Sequence, residues 1–380
     1  MGTSGKHPEF PLAEELIYFN HAAVAPWPER TRKAVFDFAE QNCRYGAAYY
    51  PDWLKKETLL REQLRALINA PSADDIALVK NTSEALSFVA YGLNWQAGDN
   101  VVTSNEEFPS NRLPWETLAA QGVELRQADL HSAHSPEDAL FALVDRNTRL
   151  LTISSIQFAT GLRLDIEQIG EFCKKRDILF CVDAIQSIGA VRFDVQACQA
   201  DFVMADGHKW MFGPEGLGIF YTTPEARDRL KLTQYGWHMM KDTHNYENKP
   251  WEKHPTARRF ECGSPNLLGI HALSASVSLL LETGMNTVES LLFERIDYLK
   301  DRLERHTDLE QLSPAPSALN SGIVVFKHNT IPNPALYQYL MQQKVICALR
   351  GAGIRFSPHF YNGFEEIERA IAIIDQYPAD

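Results

Sequence analysis

The 380-residue sequence contains no uninterrupted apolar stretch near the roughly 20 residues a bilayer-spanning helix needs. Its first eleven residues lack the basic-then-apolar order of a secretory signal. A cytoplasmic setting with no membrane partner is therefore expected. Positive charge is also short, with 37 Lys and Arg against 49 Asp and Glu and a formal net charge of −12. Binding a phosphate backbone needs a clustered basic face, so nucleic acid is not an expected partner. Cysteine is sparse: Cys43, Cys173, Cys181, Cys198, Cys262 and Cys347 form no CxxC pair and no regular spacing. That pattern points away from a zinc site or a disulfide framework and toward free, mostly buried thiols, so no metal is expected. Internal repeats and low-complexity segments are absent as well.

What is present is an ordinary globular composition, 45% hydrophobic, 23% charged and 11% aromatic. The length suggests two domains, with ample material to enclose a cofactor. From about residue 76 to 221, short apolar runs alternate with helix-period segments, the pattern of an α/β domain built on a mainly parallel sheet. The runs at 76–79, 100–104, 149–154, 178–183 and 201–204 read as strands buried on both faces, and 165–176 reads as a helix before the fourth of them. After Thr233 the composition turns loop-like and aromatic, with Tyr235, Trp237, Tyr246 and Trp251. The expected division is an N-terminal arm at 1–20, a large domain at 21–262 and a smaller α+β domain at 263–380. Residues 15–27 are expected to pack beside the active site.

In parallel α/β sheets, ligands sit beyond the carboxyl ends of the strands, which draws attention to the polar residues there. Lys209 stands in GHKWMFGPEGLG (207–218), among Trp210, Met211 and Phe212. An ammonium there carries a desolvation cost that conversion to an imine relieves, and burial lowers a lysine's pKa toward the nucleophilic range. A lysine snorkelling from a strand end is the alternative. Asp183 ends the run ILFCVD, where a carboxylate could pair with the pyridine nitrogen of pyridoxal 5′-phosphate (PLP) or simply cap the next helix. Asn81, Thr82 and Ser83 lie between a strand and a helix, presenting N–H groups and hydroxyls to an anion or forming an ordinary N-cap. The aromatic segments 236–238 and 246–251 offer either a substrate pocket or interface residues.

Taken together and in order, NTSEAL, EEFPSNRLPW, CVDAIQSIG, ADGHKWMFGPEGLGIFY, RRFECGSPN and GIRFSPHFYN resemble the class V aminotransferase family. That is a fold type I group of PLP-dependent enzymes including cysteine desulfurases, selenocysteine lyases, cystine lyases, kynureninases and epimerase-like members. The likeness runs from about residue 20 to 361. It implies a Schiff base at Lys209, Asp183 on the pyridine nitrogen, and Gln186 near the phenolic oxygen or phosphate. Gln157 resembles the family's amide contact to the phenolic oxygen. Thr82, Ser83 and His208 would hold the phosphate, and Phe108 would stack on the cofactor ring. Arg355 matches the arginine that receives the α-carboxylate of an amino-acid substrate, a task suited to its planar fork, and Arg350 is a second candidate. Ser264 occupies the place from which a partner subunit completes the phosphate site, implying a two-fold homodimer with shared active sites.

The sequence departs from the desulfurases in three ways. Only four residues separate Arg350 from Arg355, too few for the loop that carries their nucleophilic cysteine, and Cys347 precedes that segment in an apolar run. Phe108 stands where they have a titratable histidine. Asp206 replaces a serine near the phosphate and is expected to face elsewhere. The family chemistry begins alike in every branch, with Lys209 displaced by the substrate amine and then acting as base at Cα. An aminotransferase is the leading expectation. A cysteine or cystine lyase, a desulfurase-like enzyme and an epimerase are alternatives, and a non-catalytic PLP-binding protein is disfavoured because Lys209, Asp183 and Arg355 are all present.

Overall fold

Short apolar runs covered on both faces form a seven-stranded sheet in the computed structural model, which describes residues 7–243, 247, 250–314 and 321–378. After a two-residue strand β1 (Ile17–Tyr18), the large sheet comprises β2 (Ile76–Val79), β3 (Asn100–Ser104), β4 (Glu124–Ala128), β5 (Thr148–Ser154), β6 (Leu179–Asp183), β7 (Phe202–Asp206) and β8 (Gly218–Thr222). Their order is β2-β8-β7-β6-β5-β3-β4, and β8 alone runs against the others. The chemistry-bearing ends of β5, β6 and β7 therefore emerge side by side, with Ser154 paired to Asp183 and Asp183 to Met204.

Alternation along each strand divides the core between two layers. Phe180, Val182, Val203 and Ile219 share one apolar cluster with Leu60 and Leu64 of helix α2 (Tyr50–Leu67) and with Ile270, Leu273 and Val277 of the helix Leu267–Thr283. Cys181, Phe202, Met204 and Phe220 face the other way, against Leu86 and Val89 of helix α3 (Thr82–Gly92). Helix α1 (Glu29–Tyr45) packs along the helix Leu267–Thr283.

The remaining strands, β9 (Leu309–Gln311), β10 (Val324–His328), β11 (Val345–Ile346), β12 (Ala348–Arg350) and β13 (Gly353–Phe356), belong to the smaller unit. Four of them form an antiparallel sheet in the order β12-β13-β10-β9. Its core joins Val324, Phe326, Ile354 and Phe356 to Leu292 and Ile296 of the helix Met285–Glu304, and to Ile17 and Phe19. The start of the chain is tied there by parallel pairing of Ile17 with Val345 and a bridge from Asn20 to Ser357. The helix Leu267–Thr283 packs in the core of the large sheet, while Leu292 and Ile296 of the next helix pack in the small one. Among the described residues, no single helix is long and apolar enough to cross a membrane.

Candidate active site

A cavity of about 400 Å³ opens where the carboxyl ends of β5, β6 and β7 meet the hairpin β12–β13 and the segment Ala22–Val24. Of the residues singled out in the sequence, Thr82, Ser83, Phe108, Asp183, Gln186, His208, Lys209, Arg350 and Arg355 line it. Residues more than 270 positions apart in the chain are brought within one ligand's reach.

Lys209 is fixed by the three residues after it. Trp210, Met211 and Phe212 are fully buried, and Trp210 Nε1 donates to Gln186 Oε1 at 2.8 Å. Glycine at 207 is required for this loop to press against β8, since a Cβ there would lie 2.8 Å from the Leu217 carbonyl oxygen. Burial pushes the Lys209 ammonium down to about 8, the nearby Asp183 carboxylate resisting and Arg355 assisting the change. Asp183 is 2% exposed, and burial raises its carboxyl to about 7 against a backbone N–H bond from Ile185 at 3.0 Å. That bond is a local turn contact and no helix follows it, so Asp183 is not a helix cap: one oxygen holds the turn, and the carboxylate lines the cavity.

Helix α3 begins at the cavity wall. Asn81 Oδ1 caps it by accepting from Glu84 N at 2.9 Å, which leaves the Thr82 and Ser83 hydroxyls toward the cavity. Thr82 Oγ1 is buried without a partner, as are Asp206 Oδ1, His208 Nδ1 and Arg355 Nε. Buried polar atoms lacking hydrogen bonds are rare in folded proteins, so four around one cavity describe a site built for a polar ligand. A hydroxyl and a histidine at a helix N-terminus suit a phosphate, and a carboxylate and a lysine suit a pyridine nitrogen and an aldehyde. PLP fits this donor set.

Phe108 stands over Lys209, with Nζ 5.8 Å from the ring centroid, and meets Phe158 edge-to-face at 5.1 Å. Phe158 was not singled out in the sequence, where a Phe in an apolar run carries no signal. Arg355 is 2% exposed and donates from Nη1 to the Phe158 carbonyl oxygen at 2.8 Å. Burial and Arg350 push this guanidinium well below its ordinary range, a cost that a substrate carboxylate would relieve.

Three expectations change. Gln157 lies behind the wall rather than in it: its Nε2 donates to Glu107 Oε1 at 2.8 Å, because the chain turns so that Ile156 and Phe158 face the cavity instead. Gln186 lines the cavity as expected, and its amide also donates to the Ala22 carbonyl at 3.1 Å and accepts from Trp210, so it supports the Lys209 loop as well. Asp206 does not face elsewhere. It lines the cavity, Oδ1 lying 3.2 Å from His208 Nδ1 without the alignment of a hydrogen bond. Trp237, His238 and Trp251 do not line the cavity, and Tyr246 lies outside the described residues. Ser264 is exposed and does not line the cavity of its own chain.

Sequence reasoning missed Glu107. Only 5% exposed, it accepts from Ser154 N, Gln157 Nε2 and Asn111 Nδ2, each at 2.8 Å, and from Ser154 Oγ at 2.5 Å. It thereby ties the residue before Phe108 to the end of β5. The sequence places Glu106 and Glu107 among the polar residues at the carboxyl end of a strand, but nothing in it gives Glu107 a role.

Among the described residues, no cysteine lines the cavity. Arg350 pairs with Gly353 across a turn made by Gly351 and Ala352, with Gly351 at φ +57°, so there is no loop to carry a thiol. Cys347 is 2% exposed, and burial pushes its thiol up to about 12.

Comparison with known proteins gives a consistent picture. The sequence model of the aminotransferase class-V family matches residues 17–369. A probable cysteine desulfurase of Methanothermobacter thermautotrophicus is 31% identical, covering 97% of this chain and 96% of that one. The fold is shared with the apo cysteine desulfurase of Thermococcus onnurineus, at TM-score 0.87 and 23% identity, covering 97% and 96% of the two chains. It is shared too with the cystine C–S lyase C-DES, solved with its product cysteine persulfide, at TM-score 0.88 and 22% identity, covering 97% and 100%.

Proposed function

Because this chain belongs to the class-V aminotransferase family and is a PLP-dependent enzyme acting on amino acids, we propose that it is a lyase cleaving the carbon–sulfur bond of cysteine or cystine, without an enzyme thiol. One observation carries the reading: the cavity holds Lys209, Asp183 and Arg355 but, among the described residues, no cysteine. The relatives named as desulfurases favour sulfur chemistry over the transamination that led the sequence expectation. The two-residue turn at 351–352 removes the usual place for a sulfur acceptor on the protein. Sulfur then leaves on the small molecule itself, as sulfide or as a persulfide, the product seen with C-DES.

PLP, when bound, supplies an aldehyde for the substrate amine and a protonated ring that accepts the electron pair from Cα. Thr82, Ser83, His208 and the N-terminus of α3 would hold its phosphate, Asp183 would keep its ring nitrogen protonated, and Phe108 would pack against the ring. Arg355 receives the α-carboxylate. The Lys209 amine would serve as the base for the Cα proton, its lowered pKa making the free amine available near neutral pH. Phe108 and Phe158 have no titratable group, so proton traffic over this face falls to Lys209.

A second copy completes the site in this reading. Ser264 is exposed, while Val24 and Phe108 show 42% and 43% exposure at the cavity, and Tyr91 and Leu113 show 46% and 49% in the adjoining groove. Apolar groups gathered at a mouth that is polar inside favour cover by a second subunit. All six cysteines are free, which suits a reducing cytoplasm.

The test is incubation of the holoenzyme with cysteine, cystine, alanine and aspartate, following pyruvate, ammonia, sulfide and pyridoxamine phosphate together. Pyruvate with reduced sulfur, from the sulfur amino acids only, is the expected result. Pyridoxamine phosphate accumulating with alanine or aspartate would establish transamination instead.

A further inference from the structure

We propose that Asp206 is a positioning residue that makes cofactor binding proton-linked, by holding His208 as an imidazolium between its own carboxylate and the cofactor phosphate. The inference rests on the PLP reading of the cavity and concerns how this chain receives the phosphate.

Asp206 is the last residue of β7, only 7% exposed, and lines the same cavity as Thr82, Ser83 and His208. A buried carboxylate beside a phosphate is repulsive unless a cation stands between them. The other charged groups are committed elsewhere. Lys209 is taken by the aldehyde, and Arg355 points its Nη1 at the Phe158 carbonyl, toward the substrate end. Arg350 is exposed on the hairpin, and Asp183 and Glu107, on the side of β6 and β5, are acids whose pKa burial raises and offer no cation. The arm reaches His208 through Ala25 N, which donates to the His208 carbonyl at 2.9 Å. Its His21 is spent on the Ser357 carbonyl at 2.8 Å and the Tyr361 hydroxyl at 2.7 Å. Helix α3 offers hydroxyls and N–H groups, and its nearest acid, Glu84, is paired with Lys80.

His208 is the group that remains. Its Nδ1 lies 3.2 Å from Asp206 Oδ1, and neither atom has a hydrogen bond. A neutral imidazole carries one donor and one lone pair, so between two anions one contact would set a lone pair against negative charge. The imidazolium carries two donors, one for each anion. Phosphate arrival therefore draws a proton onto His208, and a small rotation of the ring completes the bond to Asp206. No bond other than N–H is made or broken, and the proton comes from solvent.

The experiment compares PLP with pyridoxal, which lacks the phosphate but has the same aldehyde and ring. Full-length protein is stripped of cofactor, and affinity and proton uptake are measured by titration calorimetry in two buffers of different ionisation heat. The working pH is about 8, where a phosphate with second pKa ≈ 6 is already a dianion. Wild type is expected to take up close to one more proton with PLP than with pyridoxal. In Asp206→Asn and in His208→Gln that excess disappears. PLP affinity of Asp206→Asn should fall about tenfold at pH 8 and much less at pH 6, while pyridoxal affinity stays unchanged, showing an intact fold. Tighter PLP binding by Asp206→Asn at every pH would mean that the carboxylate only repels, and would overturn the proposal. So would an undiminished proton excess in either variant. Failure of wild type to bind either aldehyde would instead sink the cofactor reading.

Discussion

Arg355 is held by the backbone of Phe158: its Nη1 donates to that carbonyl oxygen at 2.8 Å, while its buried Nε has no partner. The guanidinium is thus aimed before any substrate arrives, and the orphaned N–H is the place for a carboxylate. Preorganisation of this kind lowers the ordering cost of binding. Arg355→Ala should raise KM for the amino acid about 10- to 100-fold, the worth of a charge-assisted pair, with a smaller change in kcat. Steady-state kinetics decide it. An unchanged KM would show that the carboxylate docks elsewhere.

The amine of Lys209 should become reactive well below the range of an ordinary lysine. Burial disfavours the ammonium and lowers its pKa to about 8, so the nucleophilic free amine grows as pH rises through that value. The rate at which stripped enzyme captures PLP, followed by the absorbance of the lysine-bound cofactor, is expected to climb with pH and level off above about 8. A rise continuing toward 10.5, the ordinary lysine value, would contradict it.

Glu107 supports the site without touching the cavity. Replacing it with alanine leaves Ser154, Gln157 and Asn111 donors unmet, at roughly 1–3 kcal/mol for a buried unsatisfied group. We expect a loss of about 2–4 kcal/mol in denaturant unfolding and looser cofactor binding, because Phe108 loses its anchor. Glu107→Gln should be milder in volume, but it turns one acceptor into a donor facing Gln157 or Asn111.

If sulfur leaves without an enzyme thiol, Cys347→Ala should retain carbon–sulfur cleavage within about twofold. Its stability loss should be on the order of 1 kcal/mol, from a small cavity. Activity abolished by this change with the fold intact would restore a persulfide route.

Ser264→Ala should weaken PLP binding in homodimers. Mixed dimers of Ser264→Ala with Lys209→Ala chains test the sharing directly: the one site with an intact Lys209 then borrows a normal Ser264. Wild-type affinity at that site is the expected result, measured by cofactor titration of the isolated heterodimer. Affinity no better than in the Ser264→Ala homodimer would exclude a shared site.

Five of the seven strands of the large sheet were legible because strands covered on both faces are continuous apolar runs, whereas the half-exposed edge strand β4 and the antiparallel β8 were not singled out. Of the five, those at 76–79 and 100–104 match to the residue, and the others shift by one or two. Lys209, Asp183, Thr82 and Arg355 were singled out because the ordered set of motifs resembles the family; residue type alone left a bland alternative open for Lys209, Asp183 and Thr82. The core in which the helix Leu267–Thr283 packs was not legible, since a helix apolar nearly all round announces burial without saying against what.

Sequence by itself determined the family, the α/β pattern and the set of reactive groups, all properties of residue type and order. Tertiary structure alone decided which groups share a cavity. Side-chain direction at strand ends set Phe158 rather than Gln157 in the wall, spent Gln186 on Trp210, and turned Asp206 toward His208. A one-residue change of phase at the end of a strand reverses which side chain meets the ligand, and no sequence pattern encodes that phase once the strand stops.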